Sequence, residues 1–292
     1  MGLVISIINI KGGVGKSTLT ANLGYTLAKE HNKKVLIIDS DPQMNTTSYF
    51  FKNDVEIENE VINKIHETLY LIYDHNWKGD KTKIIKNFTT NLDFISSHLD
   101  FRIGSSLTNL AALKNFIRRD NQLDRKYDYI FIDTPPTLSS FSKSALLASD
   151  GYIIPTTCDR LSLYGITILD RELEKMRGVL KDLNVQLFGI VITKRPYRNA
   201  VKFRKTIKWL KENEFAKDGK TIKSSKYINY LFDNSISDEA RAADRLLFQG
   251  IPEHNFFIEE KGRKDNTTGI ENLKRDIKLV TKEFIDKMKK FE

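Results

Sequence analysis

The chain reads Asn9-Ile10-Lys11-Gly12-Gly13-Val14-Gly15-Lys16-Ser17-Thr18 between a short apolar run and a pattern typical of a helix. Three glycines allow the backbone N–H groups of such a turn to point inward around an anion. The helix that follows directs its positive N-terminal end at the same point. A strand, a glycine-rich turn, Lys16-Ser17 and a helix in this order predict a polyphosphate-binding loop.

Two residues of this loop carry particular chemistry. We expect Lys16 to reach the β- and γ-phosphates of a nucleotide and the Ser17 hydroxyl to ligate Mg²⁺. The common spacing G-x-x-x-x-G-K-[ST] requires glycine at position 10, where this chain has Ile10. The loop therefore departs from the common pattern but keeps the residues that hold phosphate.

Outside this loop, short β-branched runs alternate with longer helical patterns, which is typical of βαβ units and a parallel sheet. Strands are predicted at Val4–Asn9, Val35–Ile38, Leu92–Ile95, Tyr129–Ile132, Tyr152–Pro155 and Leu187–Thr193. Helices are predicted around 17–30, 57–73, 106–119, 138–149, 160–181, 199–213 and 271–292. We predict an α/β fold with a doubly wound, mostly parallel sheet flanked by helices. It forms a single domain over 1–292, with elaborations near 50–90 and 212–232.

Carboxylates follow two of these strands. Asp39 and Asp41 follow the strand that begins at Val35, and Asp133 follows the strand that begins at Tyr129. Open α/β sheets bind ligands at the carboxyl ends of their strands. Asp39 and Asp41 are two residues apart, so in extended geometry both could face one site.

The composition excludes several classes of protein. Of the 292 residues, 40% are hydrophobic and 29% are charged, which is ordinary for a globular protein and excludes a disordered or collagen-like chain. A single cysteine, Cys158, excludes an internal disulfide framework and a CxxC metal site, so we expect a cytosolic protein. Neither an apolar run of about 18 residues nor a secretory leader is expected in this sequence.

The net charge of +9 is concentrated in one segment. Residues 194–226 contain twelve Lys and Arg and three acidic residues, whereas the rest of the chain has 35 basic and 35 acidic residues. If 199–211 is helical, Phe203, Ile207 and Leu210 form an apolar stripe beside a basic one. The charge points to a polyanion, which could be DNA, RNA or an acidic membrane. The basic residues that we expect to contact its phosphates without reading sequence are Arg195, Arg198, Lys202, Arg204, Lys205, Lys208 and Lys211.

Three motifs carry a resemblance to a known family. Lys11–Ser17 resembles the deviant P-loop K-G-G-x-G-K-[ST] of the ParA/MinD group of P-loop ATPases. Asp39-Ser40-Asp41-Pro42-Gln43-Met44-Asn45 is similar to the D-x-D-P-Q-x-N motif of the ParA branch. Tyr129–Asp133 matches the Walker B strand.

The resemblance implies a role for each matched residue. The loop residues that bind ATP are Lys11, Gly12, Gly13, Val14, Gly15, Lys16, Ser17 and Thr18. Lys11 reaches the phosphates of the partner's nucleotide across a dimer, and Asp41 positions the attacking water, so the catalytic residues are Lys11, Lys16 and Asp41. Ser17 and Asp133 hold Mg²⁺, and Asp39 holds a water bound to it.

The resemblance also implies a Mg²⁺-dependent ATPase with weak intrinsic turnover that forms a homodimer when ATP is bound. Such a dimer binds DNA non-specifically, for which the basic residues named above are the expected contacts, and a ParB-like centromere-binding protein stimulates hydrolysis. The expected function is partition of plasmid or chromosome DNA, by a cytoplasmic, nucleoid-associated protein without stable membrane association.

Other functions share parts of this pattern. A MinD-like ATPase at a membrane surface would use the amphipathic stretch 271–292, whose apolar stripe could instead pack on the sheet. A ParA-like positioner of protein cargo would keep the same motifs. Electron-transfer and cluster-carrier proteins share the deviant P-loop but need paired cysteines, and this chain has only Cys158.

Overall fold

The computed structural model describes residues 1–51, 59, 64–180, 183–196, 200–212, 216–217, 220–221, 228–238 and 267–291. Its central sheet contains β1 (Leu3–Ile7), β2 (Val35–Asp39), β3 (Lys86–Thr89), β4 (Leu92–Ile95), β5 (Tyr129–Asp133), β6 (Gly151–Thr156) and β7 (Gln186–Ile192). The strands lie in the order β3-β4-β2-β5-β1-β6-β7, and only β3 runs antiparallel to its neighbour. The predicted doubly wound, mostly parallel sheet is confirmed.

Helices cover both faces of this sheet. Among the described residues, the α-helices are α1 (Lys16–His31), α2 (Tyr70–Tyr73), α3 (Leu107–Lys114), α4 (Ser140–Ala148), α5 (Arg160–Val179), α6 (Ala200–Glu212) and α7 (Thr267–Met288). A two-residue hairpin, β8 (Ala216–Lys217) with β9 (Lys220–Thr221), follows α6. None of these helices is long and apolar enough to cross a membrane.

The central strands are apolar along their whole length because both faces are covered. Every residue of β1, β2 and β5 is buried. Successive side chains point to opposite faces. Ile5, Ile37 and Phe131 therefore share a core with α1 and α7, while Leu36 and Ile130 share one with α3 and α4.

Helix α1 lies close against the sheet because Gly24 lacks a side chain. A Cβ at position 24 would lie 2.6 Å from Cδ1 of Ile37 on β2. The helix ends at Asn32, which adopts the left-handed conformation with φ of 55°. This close packing fixes the start of α1, and with it the phosphate loop, over the carboxyl edge of the sheet.

The C-terminal helix packs on the sheet, which was one of the two alternatives for the apolar stripe of 271–292. Leu273, Ile277, Val280, Phe284 and Met288 are buried in the core that includes β1, β2 and β5. The ring of Phe284 lies 5.2 Å from that of Tyr129. The stripe that a membrane-surface helix would need is therefore already buried.

The sequence-based prediction was least accurate near 50–90. In place of one helix over 57–73, the described part contains a 3₁₀ turn at Ile65–Glu67 and the four-residue α2, and part of that range lies outside the described residues. The antiparallel strand β3 was missed because its sequence, Lys-Asn-Phe-Thr, has no apolar run. In the other elaboration, Leu231 and Phe232 are buried beside β7, where the Phe232 N–H donates to the Ile190 carbonyl at 2.9 Å.

Candidate nucleotide site

The candidate site lies at the carboxyl edge of the sheet. The phosphate loop leaves the end of β1, and Asp39 and Asp133 end the neighbouring strands β2 and β5 in direct register. All three elements therefore meet at one edge, where parallel α/β sheets bind ligands. The predicted phosphate loop and predicted carboxylates are brought together as the motifs required.

The phosphate loop has the backbone conformation of an anion cradle. Gly13 and Gly15 have φ angles of 71° and 78°, in the left-handed region that favours glycine. A Cβ at Gly13 would meet nothing within 4 Å, so the loop is open above that residue. Gly15 directly precedes α1, whose N-terminal N–H groups provide further donors for phosphate.

Side chains from neighbouring strands hold the loop in place. Asn9 donates from Nδ2 to the Pro155 carbonyl at 2.8 Å and accepts at Oδ1 from the Lys11 N–H at 3.0 Å. Thr193, directly after β7, donates to the Val14 carbonyl at 2.6 Å. The loop conformation is therefore set by contacts to the ends of β6 and β7, and not by its glycines alone.

Lys16 is the buried cation of the site. Its side chain is 7% exposed, and Nζ donates to the Lys11 carbonyl at 3.3 Å. Burial lowers the pKa of Lys16, and the nearby carboxylates Asp133 and Asp41 partly oppose that shift. An ammonium partly stripped of water is well suited to a polyphosphate.

Asp133 accepts hydrogen bonds from three hydroxyls. Ser17 Oγ and Thr46 Oγ1 donate to its Oδ2 at 2.6 and 2.7 Å, and Thr20 Oγ1 lies 3.4 Å from its Oδ1. The carboxylate is fully buried at the end of β5. It therefore sits beside the hydroxyl of Ser17, which the motif assigns to the metal.

Asp39 is held just as firmly. Its Oδ2 accepts from the backbone N–H and the hydroxyl of Thr47 at 2.6 and 2.8 Å, and Oδ1 accepts from the Asp41 N–H at 3.0 Å. Burial, with a smaller effect of the neighbouring Asp133, raises the pKa of Asp39 to about 8. Burial also raises the pKa of Asp133 to about 6.

These residues fit a divalent cation. Two buried carboxylates on adjacent strands are costly to ionise together, and a cation between them removes that cost. Carboxylate and hydroxyl oxygens are the ligands that Mg²⁺ prefers. Across the described residues no group of three or more His, Cys, Asp or Glu side chains could hold a metal. The candidate residues for holding Mg²⁺ are therefore two carboxylates and one hydroxyl, those of Asp39, Asp133 and Ser17. Phosphate and water would supply the remaining ligands.

Asp41 lies beside this pair, 3% exposed. Its Oδ1 accepts from the Gln43 N–H at 2.9 Å, which orients the carboxylate within the turn after β2. The negative charge of Asp41 also opposes the burial that lowers the pKa of Lys16. The acid that the motif assigns to the attacking water therefore lies near the lysine that the motif assigns to the phosphates.

Lys11 is bound within its own chain. Its Nζ donates to Asp159 Oδ1 at 2.8 Å and to Ser162 Oγ at 2.9 Å, at the start of α5. Partial burial of Asp159 opposes ionisation, but hydrogen bonds from Lys11, Thr157 and Ser162 outweigh it and hold the pKa of Asp159 well below its ordinary value. The structure thus places Lys11 at the rim of the site.

The basic residues of α6 lie on its exposed side. Leu210 is buried, and Phe203 and Ile207 pack beside it against the core. The exposed basic side chains are those of Lys202, Arg204, Lys205 and Lys208. The predicted separation of an apolar stripe from a basic one is present in the structure.

The other three predicted DNA contacts differ in position. Arg195 donates to the buried carboxylate of Asp276 on α7 at 3.2 Å, so its guanidinium also ties β7 to the C-terminal helix. Arg198 lies outside the described residues, as does the side chain of Lys211.

Sequence reasoning missed several residues that support the site. They are Thr46, Thr47, Asp159, Ser162 and Thr193. Hydroxyl residues directly after a strand, such as Thr193, or after the acidic turn, such as Thr46, are the signal that could have found them. The Lys11–Asp159 contact spans 148 residues, and no local pattern indicates it.

The class of protein follows from this geometry. A parallel sheet, a glycine loop that opens onto α1 and carboxylates at the ends of β2 and β5 define a P-loop NTPase fold. The AAA domain family AAA_31 matches residues 2–187.

Relatives narrow the class. The sporulation initiation inhibitor protein Soj of Bacillus subtilis is 36% identical over 199 residues, which span 66% of this chain and 73% of Soj. The chromosome partitioning protein ParA of Caulobacter vibrioides is 30% identical over 205 residues, 68% of this chain and 72% of that one. A solved plasmid partition protein from Borrelia burgdorferi superposes with a TM-score of 0.64 at 26% identity, covering 98% of this chain and 100% of its own. The chain belongs to the ParA family.

Proposed function

We propose that this protein is a Mg²⁺-dependent ATPase that partitions plasmid or chromosome DNA. The observation that carries the proposal is one edge of the sheet with two lysines, Lys11 and Lys16, around a glycine loop beside the buried carboxylates Asp39 and Asp133. Two cations and a metal site in one cradle suit the β- and γ-phosphates of ATP, whose charge increases toward the transition state.

Each residue of the cradle has a distinct task. Lys16 and the N–H groups around Gly13 and Gly15 bind the phosphates. Ser17 and Asp133 hold Mg²⁺, and Asp39 holds a water bound to it. Bound Mg²⁺ supplies neutralisation of phosphate charge and a fixed orientation of the phosphate oxygens.

Asp41 orients the attacking water. Its carboxylate is buried, fixed by the Gln43 N–H and close to Lys16, so a water that it binds would lie beside the terminal phosphate. In phosphoryl transfer the protein mainly positions the reactants and stabilises charge, and a fixed carboxylate that orients water is one such contribution. Weak intrinsic turnover follows if the site lacks the partner's Lys11 until a dimer forms.

Lys11 supplies charge to the second subunit. Lys11 lies at the rim of the site. There its ammonium can leave Asp159 and bind the phosphate oxygens of the ATP that is held by the second subunit. ATP then favours the dimer because each nucleotide is bound by two chains. The proposed active form is a homodimer with ATP bound.

The DNA-binding surface is the exposed basic side of α6. Lys202, Arg204, Lys205 and Lys208 contact phosphates without reading bases, and a dimer doubles these contacts. A ParB-like centromere-binding protein would stimulate hydrolysis and release the dimer from DNA. Association with the nucleoid follows from this binding.

A physical connection runs from the nucleotide site to α6. Asp159, which holds Lys11, directly follows the buried Cys158, which lies in the same hydrophobic core as Leu210 of α6. When Lys11 leaves Asp159, movement of the segment around Asp159 would therefore shift the packing of α6, the basic helix.

Sedimentation velocity with nucleotide and with vesicles tests this proposal. We expect a monomer with Mg²⁺-ADP and a dimer with Mg²⁺-ATP, most clearly in a slowly hydrolysing Asp41→Ala variant. Anionic vesicles should not pellet the protein, since the apolar stripe of α7 is buried. ATP-dependent pelleting with vesicles, or the same sedimentation coefficient with both nucleotides, would contradict the proposal.

A further inference from the structure

A second concave site lies at the opposite edge of the sheet from the nucleotide site. It is formed by three segments that lead into neighbouring strands: Met1-Gly2 before β1, 32–34 before β2, and 124–128 before β5. Together they line an open surface pocket of about 720 Å³. None of the functions assigned above uses this pocket.

The walls of the pocket are held by backbone hydrogen bonds. The Asp128 N–H donates to the Lys34 carbonyl at 2.8 Å, and the Lys34 N–H donates to Asp128 Oδ2 at 2.7 Å. The Gly2 N–H donates to the Asp124 carbonyl at 2.6 Å. A Cβ at Gly2 would lie 1.8 Å from the Tyr127 carbonyl oxygen, so only glycine fits that corner.

Four basic side chains line the pocket: Lys33, Lys34, Arg125 and Lys126. In the part of the chain that the structure describes, none of the four forms an ion pair with a carboxylate. Gathered in one concavity, these four cations create a local positive potential, which the lining carboxylates Asp124 and Asp128 and the nearby Asp80 offset in part.

The two acids of the pocket are already engaged. Asp124 is buried and bound to Arg118 at 3.1 Å, and Asp128 accepts the Lys34 N–H. Arg118 is shared between Asp124 and Asp150, whose Oδ1 it binds at 2.7 Å, so it offsets only part of their charge. Four basic side chains against two lining carboxylates leave the pocket with a net positive charge.

We infer that this pocket binds phosphate groups. The N–H groups of residues 125–128 and of Lys34 are used within the chain, so the side-chain cations are the main groups that could bind an anionic ligand. Lysine ammonium groups bind phosphate as point charges and the Arg125 guanidinium binds it through a planar fork of N–H groups, and neither mode requires recognition of a base or sugar. The source of the phosphate is either a DNA backbone or a free polyphosphate.

The first experiment detects the pocket without the nucleotide site. Tripolyphosphate is titrated by calorimetry into a Lys16→Ala variant, which disables the phosphate loop, and into the same variant carrying Arg125→Gln and Lys126→Gln. We expect the added changes to weaken tripolyphosphate binding at least about fivefold. The matched control replaces the exposed Lys274 and Lys282 of α7 by Gln and should leave that binding unchanged. Equal affinity with and without Arg125 and Lys126 would overturn the inference.

The second experiment identifies the source of the phosphate. Duplex DNA binding is measured over a salt series for the wild type and for Arg125→Gln/Lys126→Gln. Loss of two phosphate contacts would reduce the slope of log affinity against log salt by about 2 for each subunit that contacts DNA through the pocket. A reduced slope supports DNA as the ligand. An unchanged slope, with weakened tripolyphosphate binding, supports a free polyphosphate. This part rests on the proposed function, and absence of DNA binding by the wild type would contradict that function while the calorimetry still tests the pocket.

Discussion

Lys11 Nζ lies 2.8 Å from Asp159 Oδ1, to which it donates a hydrogen bond, and it also donates to Ser162 Oγ. The same Asp159 oxygen accepts the Ser162 N–H at 3.0 Å and so caps the start of α5. The lysine that the motif assigns to a partner's nucleotide is thus bound to its own chain. If Lys11 takes that proposed role, formation of the ATP-bound dimer breaks this ion pair.

Replacing Asp159 by Asn tests the cost of breaking that pair. Asn removes the charge but keeps an oxygen that can cap α5. We expect dimerisation at a lower ATP concentration, by up to about fivefold, because partly exposed ion pairs contribute roughly 0–1 kcal/mol. Light scattering during an ATP titration measures the change. Asp159→Ala, which also removes the cap, separates the loss of charge from the loss of helix stability. A dimerisation midpoint equal to the wild type in Asp159→Asn would show that the cis pair does not oppose dimerisation.

Mixing two inactive variants tests whether Lys11 acts across the dimer. Lys11→Ala lacks the trans lysine, and Asp41→Ala lacks the residue that orients water. In a mixed dimer, the site on the Lys11→Ala chain has its own Asp41 and receives Lys11 from the other chain. ATP turnover of the mixture should reach about a quarter of the wild-type rate, since random two-fold pairing completes one site in four.

The two variants assayed separately provide the control, and each should have little turnover. If Lys11 acts within its own chain, no site in the mixture is complete. A mixture as inactive as its components would then contradict the trans role.

Lys16→Ala should abolish measurable ATP binding. Removing the buried ammonium leaves the phosphates without their main cation, while the protein itself loses one long hydrogen bond, from Lys16 Nζ to the Lys11 carbonyl at 3.3 Å. Calorimetry with Mg²⁺-ATP measures the loss. Lys29→Ala, on the same helix and exposed, is the control and should bind normally. Ordinary affinity in Lys16→Ala would refute the phosphate-loop assignment.

The buried acids predict how pH and Mg²⁺ affect stability. The pKa values of Asp39 and Asp133 are raised to about 8 and about 6, from an ordinary value of 3.8. The folded chain therefore holds protons that the unfolded chain has lost. Without metal, the free energy of unfolding should fall as pH rises from about 4 to about 8.

Mg²⁺ competes with those protons, so its stabilising effect should grow with pH. The rise in Tm on adding Mg²⁺-ADP should be larger at about pH 8.5 than at about pH 6. Asp39→Asn should raise the Tm of the metal-free protein at the higher pH, whereas the exposed Asp100→Asn should not. A Mg²⁺ effect that is independent of pH would contradict the assignment of this pair.

Local sequence patterns were sufficient to predict the phosphate loop and the carboxylates that form the site. Glycine spacing, Lys16-Ser17 and acids at strand ends predicted which residues meet, because parallel strands bring their carboxyl ends to one edge. The contacts of Thr193 with Val14 and of Asp159 with Lys11 depend on how distant segments pack, which no local pattern encodes. Arg195 shows the same limit. Its place in a basic run suggested DNA, whereas the fold also pairs it with Asp276, 81 residues away.

The most direct test of a nucleotide-controlled DNA partition ATPase is duplex DNA binding with Mg²⁺-ATP and with Mg²⁺-ADP over a salt series. Fluorescence anisotropy should show binding of unrelated sequences that requires ATP and weakens steeply with salt. Changing Arg204, Lys205 and Lys208 to Gln should reduce the salt slope by up to about 3 for each subunit that contacts DNA. DNA binding that is the same with ATP and ADP, or absent with both, would contradict the account.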